Sequence, residues 1–353
     1  MNKEYGLLEY EIKNNEIVIT GCDKKATDIV IPEYIEGKKV TSIGPYTFAD
    51  CKVLSSVMLP KSITSINIYA FFNCMLLKNI ELPNGITNIA NNAFYSCTSL
   101  TSIKIPDSVI RIDNQAFRGC TSLKNIVIPN SVTYIGMWAF DSCTTLRSIK
   151  LPSSIMRICG SAFRNCTSLT SITIPDSVTS IGSYAFEFCI SLKSITIGSG
   201  VTSVGEYAFL NTAYYNDRNN WKNNVLYIGN CLISGRYEKY NKKTNKYDVF
   251  AVSGDYSIRP NTKVIADMAF KDCIFLKRLT IPDSITSLGY GIFGNCTSLL
   301  SIVIPDSVIK TGDLAFHNCT SLKKIEGRFN KLPPKVDFIN LLEQLNTRYC
   351  HIS

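Results

Sequence analysis

Histidine is nearly missing from this chain, which has only His317 and His351 among 353 residues. A serine or cysteine nucleophile needs a buried, oriented base beside it. His317 follows Phe316 at an outward position and His351 stands two residues from the end, so hydrolytic triads are excluded. No Cys-x-x-Cys pair occurs, and no glycine-rich loop carries Gly-Lys-Ser or Gly-Lys-Thr, so zinc and nucleotide sites lack their usual signs. Gly198-Ser199-Gly200 with Gly205 has the wrong spacing for a dinucleotide loop. No cofactor and no metal are expected.

Long apolar runs are absent too: no stretch of about 18 such residues occurs. The opening Met1-Asn2-Lys3-Glu4-Tyr5-Gly6-Leu7-Leu8-Glu9-Tyr10-Glu11 has no apolar leader core. Neither a membrane span nor a visible secretion signal is therefore expected. Runs of like charge are also missing. The 37 basic and 28 acidic residues give a net charge of +9 and a pI near 8.8. That charge permits acidic partners such as sialylated glycan or anionic lipid, but it is too dispersed to predict nucleic acid as the partner.

What the chain does have is a period. Phe48, Phe71, Phe94, Phe117, Phe140, Phe163, Phe186 and Phe209 lie 23 residues apart, and Phe270, Phe293 and Phe316 resume the count. Self-similarity at this interval marks a solenoid, in which each unit buries its apolar side only against its neighbours. Ten of the fourteen cysteines (Cys51, Cys74, Cys97, Cys120, Cys143, Cys166, Cys189, Cys273, Cys296, Cys319) share one column. Stacked side chains point the same way and stay beyond disulfide reach, so these are read as buried free thiols. Cys22, Cys159, Cys231 and Cys350 fall outside the column.

The unit from Cys166 to Phe186 shows how each position is used. Leu169, Ile172 and Ile174 recur as apolar columns, and Ile172-Thr173-Ile174 alternates as a short strand. Pro175 ends the strand because it lacks an N–H, and Pro175-Asp176-Ser177 carries the residues of a tight turn. This explains Asp107, Asp176, Asp283 and Asp306 without acid–base chemistry. Val178 and Ile181 line a second inward segment, Gly182 offers a position for positive φ, and Ala185-Phe186 is expected to form a short helical turn.

The unit Cys-x-x-Leu-x-x-Ile-x-Ile-Pro-x-x-Val-x-x-Ile-Gly-x-x-Ala-Phe closely resembles the BspA-like (spirochaete-type) leucine-rich repeats, over roughly residues 29–326. It lacks the buried Asn column of standard leucine-rich repeats, as that subclass does. The resemblance implies an α/β leucine-rich-repeat solenoid of about eleven repeats, with a parallel β-sheet on its concave face and turns elsewhere. It also implies cell-surface or secreted localisation and a non-enzymatic role in adhesion to protein or glycan of host or microbial surfaces. Without a visible leader, and with a ladder of free thiols, a cytoplasmic protein–protein interaction scaffold is the alternative.

Solenoids need atypical ends. Residues 1–31 are expected to form a β-hairpin cap around Asn14-Asn15. Residues 32–326 form the solenoid, and residues 327–353 form a helical cap on Phe338, Leu341, Leu342 and Leu345. Between Phe209 and Phe270 lie 38 residues more than one period, placing an insertion at 211–248. Inside it, Val225–Ile228 and Cys231–Ile233 read as a hairpin across Gly229-Asn230.

Two surfaces are expected to bind. The column after the recurring leucine holds Ser55, Lys78, Thr101, Lys124, Arg147, Thr170, Lys193, Lys277, Leu300 and Lys323, a basic stripe beside a column of Ser and Asn. It suits an extended protein or glycan held by many weak contacts. In the insertion, Trp221, Tyr237 and Tyr240 interleave with Arg and Lys, a composition that can stack on sugars. Each has a structural reading as well. Exposed lysines protect sheet edges, and aromatics can pack a hairpin onto the solenoid.

Overall fold

A computed structural model describes residues 3–241 and 243–327. They form two compact units, Met1–Val201 with Ala208–Tyr214, and Thr202–Tyr207 with Tyr215 onward.

The first unit is a β-solenoid of parallel ladders. Ser102–Lys104, Asn125–Val127 and Ser148–Lys150 pair in parallel with Ile103, Ile126 and Ile149 in register. A second parallel sheet stacks Asn88–Ile89, Arg111–Ile112, Tyr134–Ile135, Arg157–Ile158 and Ser180–Ile181. Strands this short suffice because every coil repeats the pairing of the one below.

Inside the coils, the phenylalanines form one file. From Phe48 to Phe209 successive ring centroids are 5.0–5.5 Å apart, with planes within 10° of parallel. Offset stacking adds to the apolar burial of each ring, worth roughly 2–3 kcal/mol by area alone. The cysteine column is buried as far as Cys296, with Cys319 half-buried, and its thiols are free. Cys97, Cys120 and Cys143 donate to the carbonyls of Phe71, Phe94 and Phe117, one coil earlier, at 3.1–3.3 Å.

The corner holding each phenylalanine is not helical, contrary to expectation. Asn92 and Ser96, two residues on either side of Phe94, have φ of 58° and 55°. Asn92, Phe94 and Ser96 send their N–H groups to the next coil, at Asn114, Ala116 and Arg118. The residues between them, Ala93 and Tyr95, close local turns onto Ala90 and Asn92. Left-handed residues at two of every five positions rule out an α-helix and give the corner a hydrogen-bond ladder of its own. The same pair recurs as Trp138 with Ser142 and as Tyr184 with Phe188.

Gly182 and Gly136, expected to supply positive φ, do not adopt it. A Cβ at Gly182 would lie 2.4 Å from the nitrogen of Gly160, and one at Gly136 would lie 2.6 Å from that of Asn114. The reason for glycine here is close approach of neighbouring coils. The Pro-Asp-Ser segment is the expected turn, with Val178 N–H bonding to Pro175 O at 3.1 Å. Its serine does more: Ser108, Ser131, Ser154 and Ser177 each donate to a carbonyl of the preceding coil at 2.6–2.7 Å.

At the N-terminal end, Leu8–Lys13 and Glu16–Cys22 pair antiparallel through Asn14 and Asn15, at φ 50° and 64°. The hairpin's second strand then runs parallel to Lys38–Ile43, with Ile17 opposite Val40 and Ile19 opposite Ile43. This is the expected cap. Sequence reading missed two further strands: Lys3–Tyr5 extends the cap antiparallel to Leu8–Lys13, and Tyr34–Ile35 folds back on Lys38–Ile43.

In the second unit, Gly254–Ser257, Leu276–Thr280, Ser301–Ile304 and Lys324–Gly327 make a parallel sheet. Phe270, Phe293 and Phe316 form a second file at 5.8 and 5.2 Å. The expected hairpin is present, with Ile228 opposite Cys231. Its second strand, Cys231–Ser234, also pairs in parallel with Val264–Ile265, so the insertion supplies one rung of the ladder. The helical cap expected at 327–353 lies outside the described residues from 328 on.

Candidate functional site

The outward column of the first unit is held in line by its own backbone. Lys78 N–H bonds to Ser55 O, and Thr101, Lys124, Arg147, Thr170 and Lys193 continue the chain at 3.0–3.3 Å. The side chains of Lys78, Lys124, Arg147 and Lys193 are exposed. The coil spacing of about 4.8 Å sets the distance between them. Among the described residues none of these four forms an ion pair. By contrast, Arg118 and Arg164 at the phenylalanine corners are paired with Asp141 at 2.9 Å and Glu187 at 2.7 Å.

Sequence reading missed a second outward column on the same sheet. The middle residue of each Ile-x-Ile strand faces out, which places Lys104 and Lys150 on either side of Val127 in register. Val127 is 78% exposed. The alternation of the strand was the signal for these residues. Lys124 and Arg147 stand on the other outward column, three residues before Val127 and Lys150. Ser102, Asn125 and Ser148 lie between the columns as exposed hydrogen-bonding groups.

In the second unit, Lys277 is exposed and its carbonyl accepts from Leu300 N–H at 2.8 Å. The insertion's aromatics are arranged differently from a stacking platform. Trp221 is 7% exposed and Tyr237 is 3% exposed. They pack edge to face at 5.3 Å, joined by Tyr215, and Trp221 Nε1 donates to Tyr215 O at 2.7 Å. Arg218 closes this cluster, its guanidinium 4.6 Å from the Tyr237 ring. Trp221 and Tyr237 are thus the core of the insertion, with no open face for a sugar. Tyr240 stands opposite Tyr247 in the hairpin Arg236–Asn241 with Lys246–Ala251, and its side chain is outside the description.

The insertion instead opens a groove of about 660 Å³. Val249, Phe250, Ile274 and Phe275 line it, with Arg236 and Asp272 paired at 2.8 Å. Phe250 is 46% and Phe275 63% exposed. Phe250 was not legible as a site, because which face of a hairpin is covered depends on what it packs against.

The thiols from Cys97 to Cys166 offer little chemistry. Burial pushes Cys97, Cys120, Cys143 and Cys166 well above the usual thiol range, so they are protonated and weakly nucleophilic. Among the described residues no cluster of three or more His, Cys, Asp or Glu could hold a metal. No helix among them is long and apolar enough to cross a membrane.

Comparison with known proteins agrees with this architecture. Residues 21–120, 87–216 and 254–337 match the family described as the BspA type leucine rich repeat region, in six copies. No curated protein matches. The chain is 26% identical to a leucine-rich repeat protein from Bacteroides ovatus, covering 91% of this chain and 81% of that one with a TM-score of 0.63. A leucine rich cell surface protein from Faecalibacterium prausnitzii is 27% identical, with 94% and 96% covered and a TM-score of 0.56. A leucine rich repeat protein of T. pallidum is 31% identical over 54% of this chain and 91% of its own, at a TM-score of 0.50.

Proposed function

Because the chain belongs to the BspA type leucine-rich repeat family, we propose that it is a non-enzymatic recognition module that binds an extended, anionic protein or glycan segment across the outward sheet face of its first unit. The observation that carries this reading is the aligned, unpaired basic column of Lys78, Lys124, Arg147 and Lys193, reinforced by Lys104 and Lys150. Ligand charges spaced along a chain would meet successive coils, each contact weak and the sum selective. The similarity to a leucine rich cell surface protein supports action at a cell surface, where sulfated or sialylated glycans and acidic adhesion proteins are exposed.

Retention on immobilised heparin and on an acidic matrix protein tests the reading. Charge reversal of Lys124 and Arg147 together is expected to lower retention at least tenfold, and binding should weaken steeply with salt. Unchanged retention would remove this face from consideration.

A scaffold inside the cell is the second reading, favoured by the free thiols of the ladder. Fractionation of the native cell separates the two, since exclusively cytosolic protein rules out adhesion.

A further inference from the structure

The first cysteine of the ladder departs from the pattern of those that follow it to Cys189. Cys74 and every column cysteine from it to Cys189 point at the carbonyl of a phenylalanine one coil back, 26 residues earlier. Cys51 sits in the first phenylalanine-bearing coil and has no such carbonyl below it. Its Sγ lies instead 3.1 Å from Sγ of Cys22, the last residue of the capping strand Glu16–Cys22. Cys22 has no partner in the repeat pattern, so sequence reading left it outside any pairing. Lys24 donates to Ala49 O and lies 3.7 Å from Cys51 Sγ.

Three features set this pair apart from the thiols between Cys74 and Cys189. The two sulfurs need approach only about 1 Å further to reach bonding distance. A cation stands beside one of them. The Cys22 thiol donating to Cys51, together with the Lys24 ammonium, holds the Cys51 thiol down at about 7 against its burial, while Cys22 is pushed up. From Cys74 to Cys189 the ladder thiols are held protonated by burial, whereas Cys51 has a thiolate available at neutral pH.

We propose that Cys22 and Cys51 are a redox-active pair, and that hydrogen peroxide closes them into a disulfide fastening the N-terminal hairpin to the first coil. The Cys51 thiolate attacks one peroxide oxygen, and the O–O bond breaks. Cys51 becomes the sulfenic acid, and hydroxide leaves and takes a proton from solvent. The Cys22 sulfur then attacks Cys51 Sγ and the S–O bond breaks. The departing hydroxide leaves as water with the Cys22 proton. Two thiols lose two electrons in all, and one peroxide becomes two waters. Cys51 is fully buried and Cys22 is 6% exposed, and peroxide, scarcely larger than water, is an oxidant small enough to reach such a pair. The bond would close a loop of 29 residues at the end of the stack, where fraying would otherwise begin.

The full chain treated with modest peroxide tests this. The expected result is an intact mass lower by two hydrogens, a peptide linking Cys22 to Cys51, and the other column thiols still alkylatable after unfolding. Thiol reductant should reverse the change, and the oxidised chain should melt roughly 2–4 °C higher than the reduced one. In Cys22→Ser the linked peptide and the melting shift should both vanish, while dimedone traps a sulfenic acid on Cys51. Lys24→Met should slow the oxidation about tenfold by removing the cation beside the thiolate. Linkage of any other pair, or sulfinic acid on Cys51 of the unmutated chain without the linked peptide, would overturn the proposal. So would a mass unchanged by peroxide. Cys22→Ala, smaller and apolar, repeats the test if the serine variant fails to fold.

Discussion

The thiol of Cys120 donates to the carbonyl oxygen of Phe94 at 3.2 Å, and that same oxygen accepts the N–H of Cys97, also at 3.2 Å. One carbonyl thus joins its own corner to the coil above it. A small side chain with a weak donor fits there because the phenylalanine file leaves little room and the backbone bond already satisfies the oxygen.

From this arrangement, Cys120→Ala should cost only about 1–2 kcal/mol, since the carbonyl keeps one partner and the lost volume is small. The folded chain should also resist alkylation at Cys120 at pH 8, because burial raises its pKa. Iodoacetamide labelling with and without urea measures this. Rapid labelling of Cys120 in the native chain would contradict it.

Phe140 is stacked on both sides, 5.4 Å from Phe117 and 5.4 Å from Phe163. Phe140→Ala should destabilise by about 3–5 kcal/mol, with Phe140→Leu losing less. Urea unfolding reports both values, and a Phe140→Leu cost no larger than its small loss of volume would mean that ring stacking contributes nothing further.

Gly200 replaces the cross-coil serine of the Pro-Asp-Ser turn. A Cβ at this position would fall 1.9 Å from Asp176 O. Gly200→Ala should therefore lose more stability than Ser154→Ala, which gives up one 2.6 Å hydrogen bond worth about 1 kcal/mol. The order of the two melting temperatures decides the matter.

Lys124→Glu with Arg147→Glu should leave the melting temperature nearly unchanged, since exposed substitutions shift stability by about 0.5 kcal/mol or less. Loss of retention on an anionic ligand would then be a property of the surface alone. A large drop in melting temperature would instead mean that the column has a structural role.

The period made the interior readable. Once Phe94, Cys97 and Leu100 recur at fixed spacing, only inward packing explains all three, and each is fully buried. Corner geometry was hidden because left-handed residues such as Trp138 and Gln115 carry no glycine signal. Their strain is offset by N–H bonds to the next coil, which exist only after stacking. The bond from Ser154 to Val132 O was hidden for the same reason, as its acceptor is 22 residues away. For the basic column, alignment could be read from Lys124 and Arg147, but the adjoining Lys104 and Lys150 needed the strand's outward side to be traced separately. The insertion has no period, and composition alone could not separate buried Trp221 and Tyr237 from exposed Phe250 just beyond it.

The cap hairpin also bears on how such molecules behave in a crowd. A stack of near-identical coils is a template that the end of another copy could extend, producing an open filament. Here one ladder passes from Lys38–Ile43 to Glu16–Cys22 and then turns antiparallel through Leu8–Lys13 to the three-residue strand Lys3–Tyr5. A parallel coil arriving from a neighbour finds the opposite strand direction, beside an ion pair of Lys3 and Glu36 at 2.7 Å. The hairpin that closes the core on this side thus presents an antiparallel strand where the repeats present a parallel one.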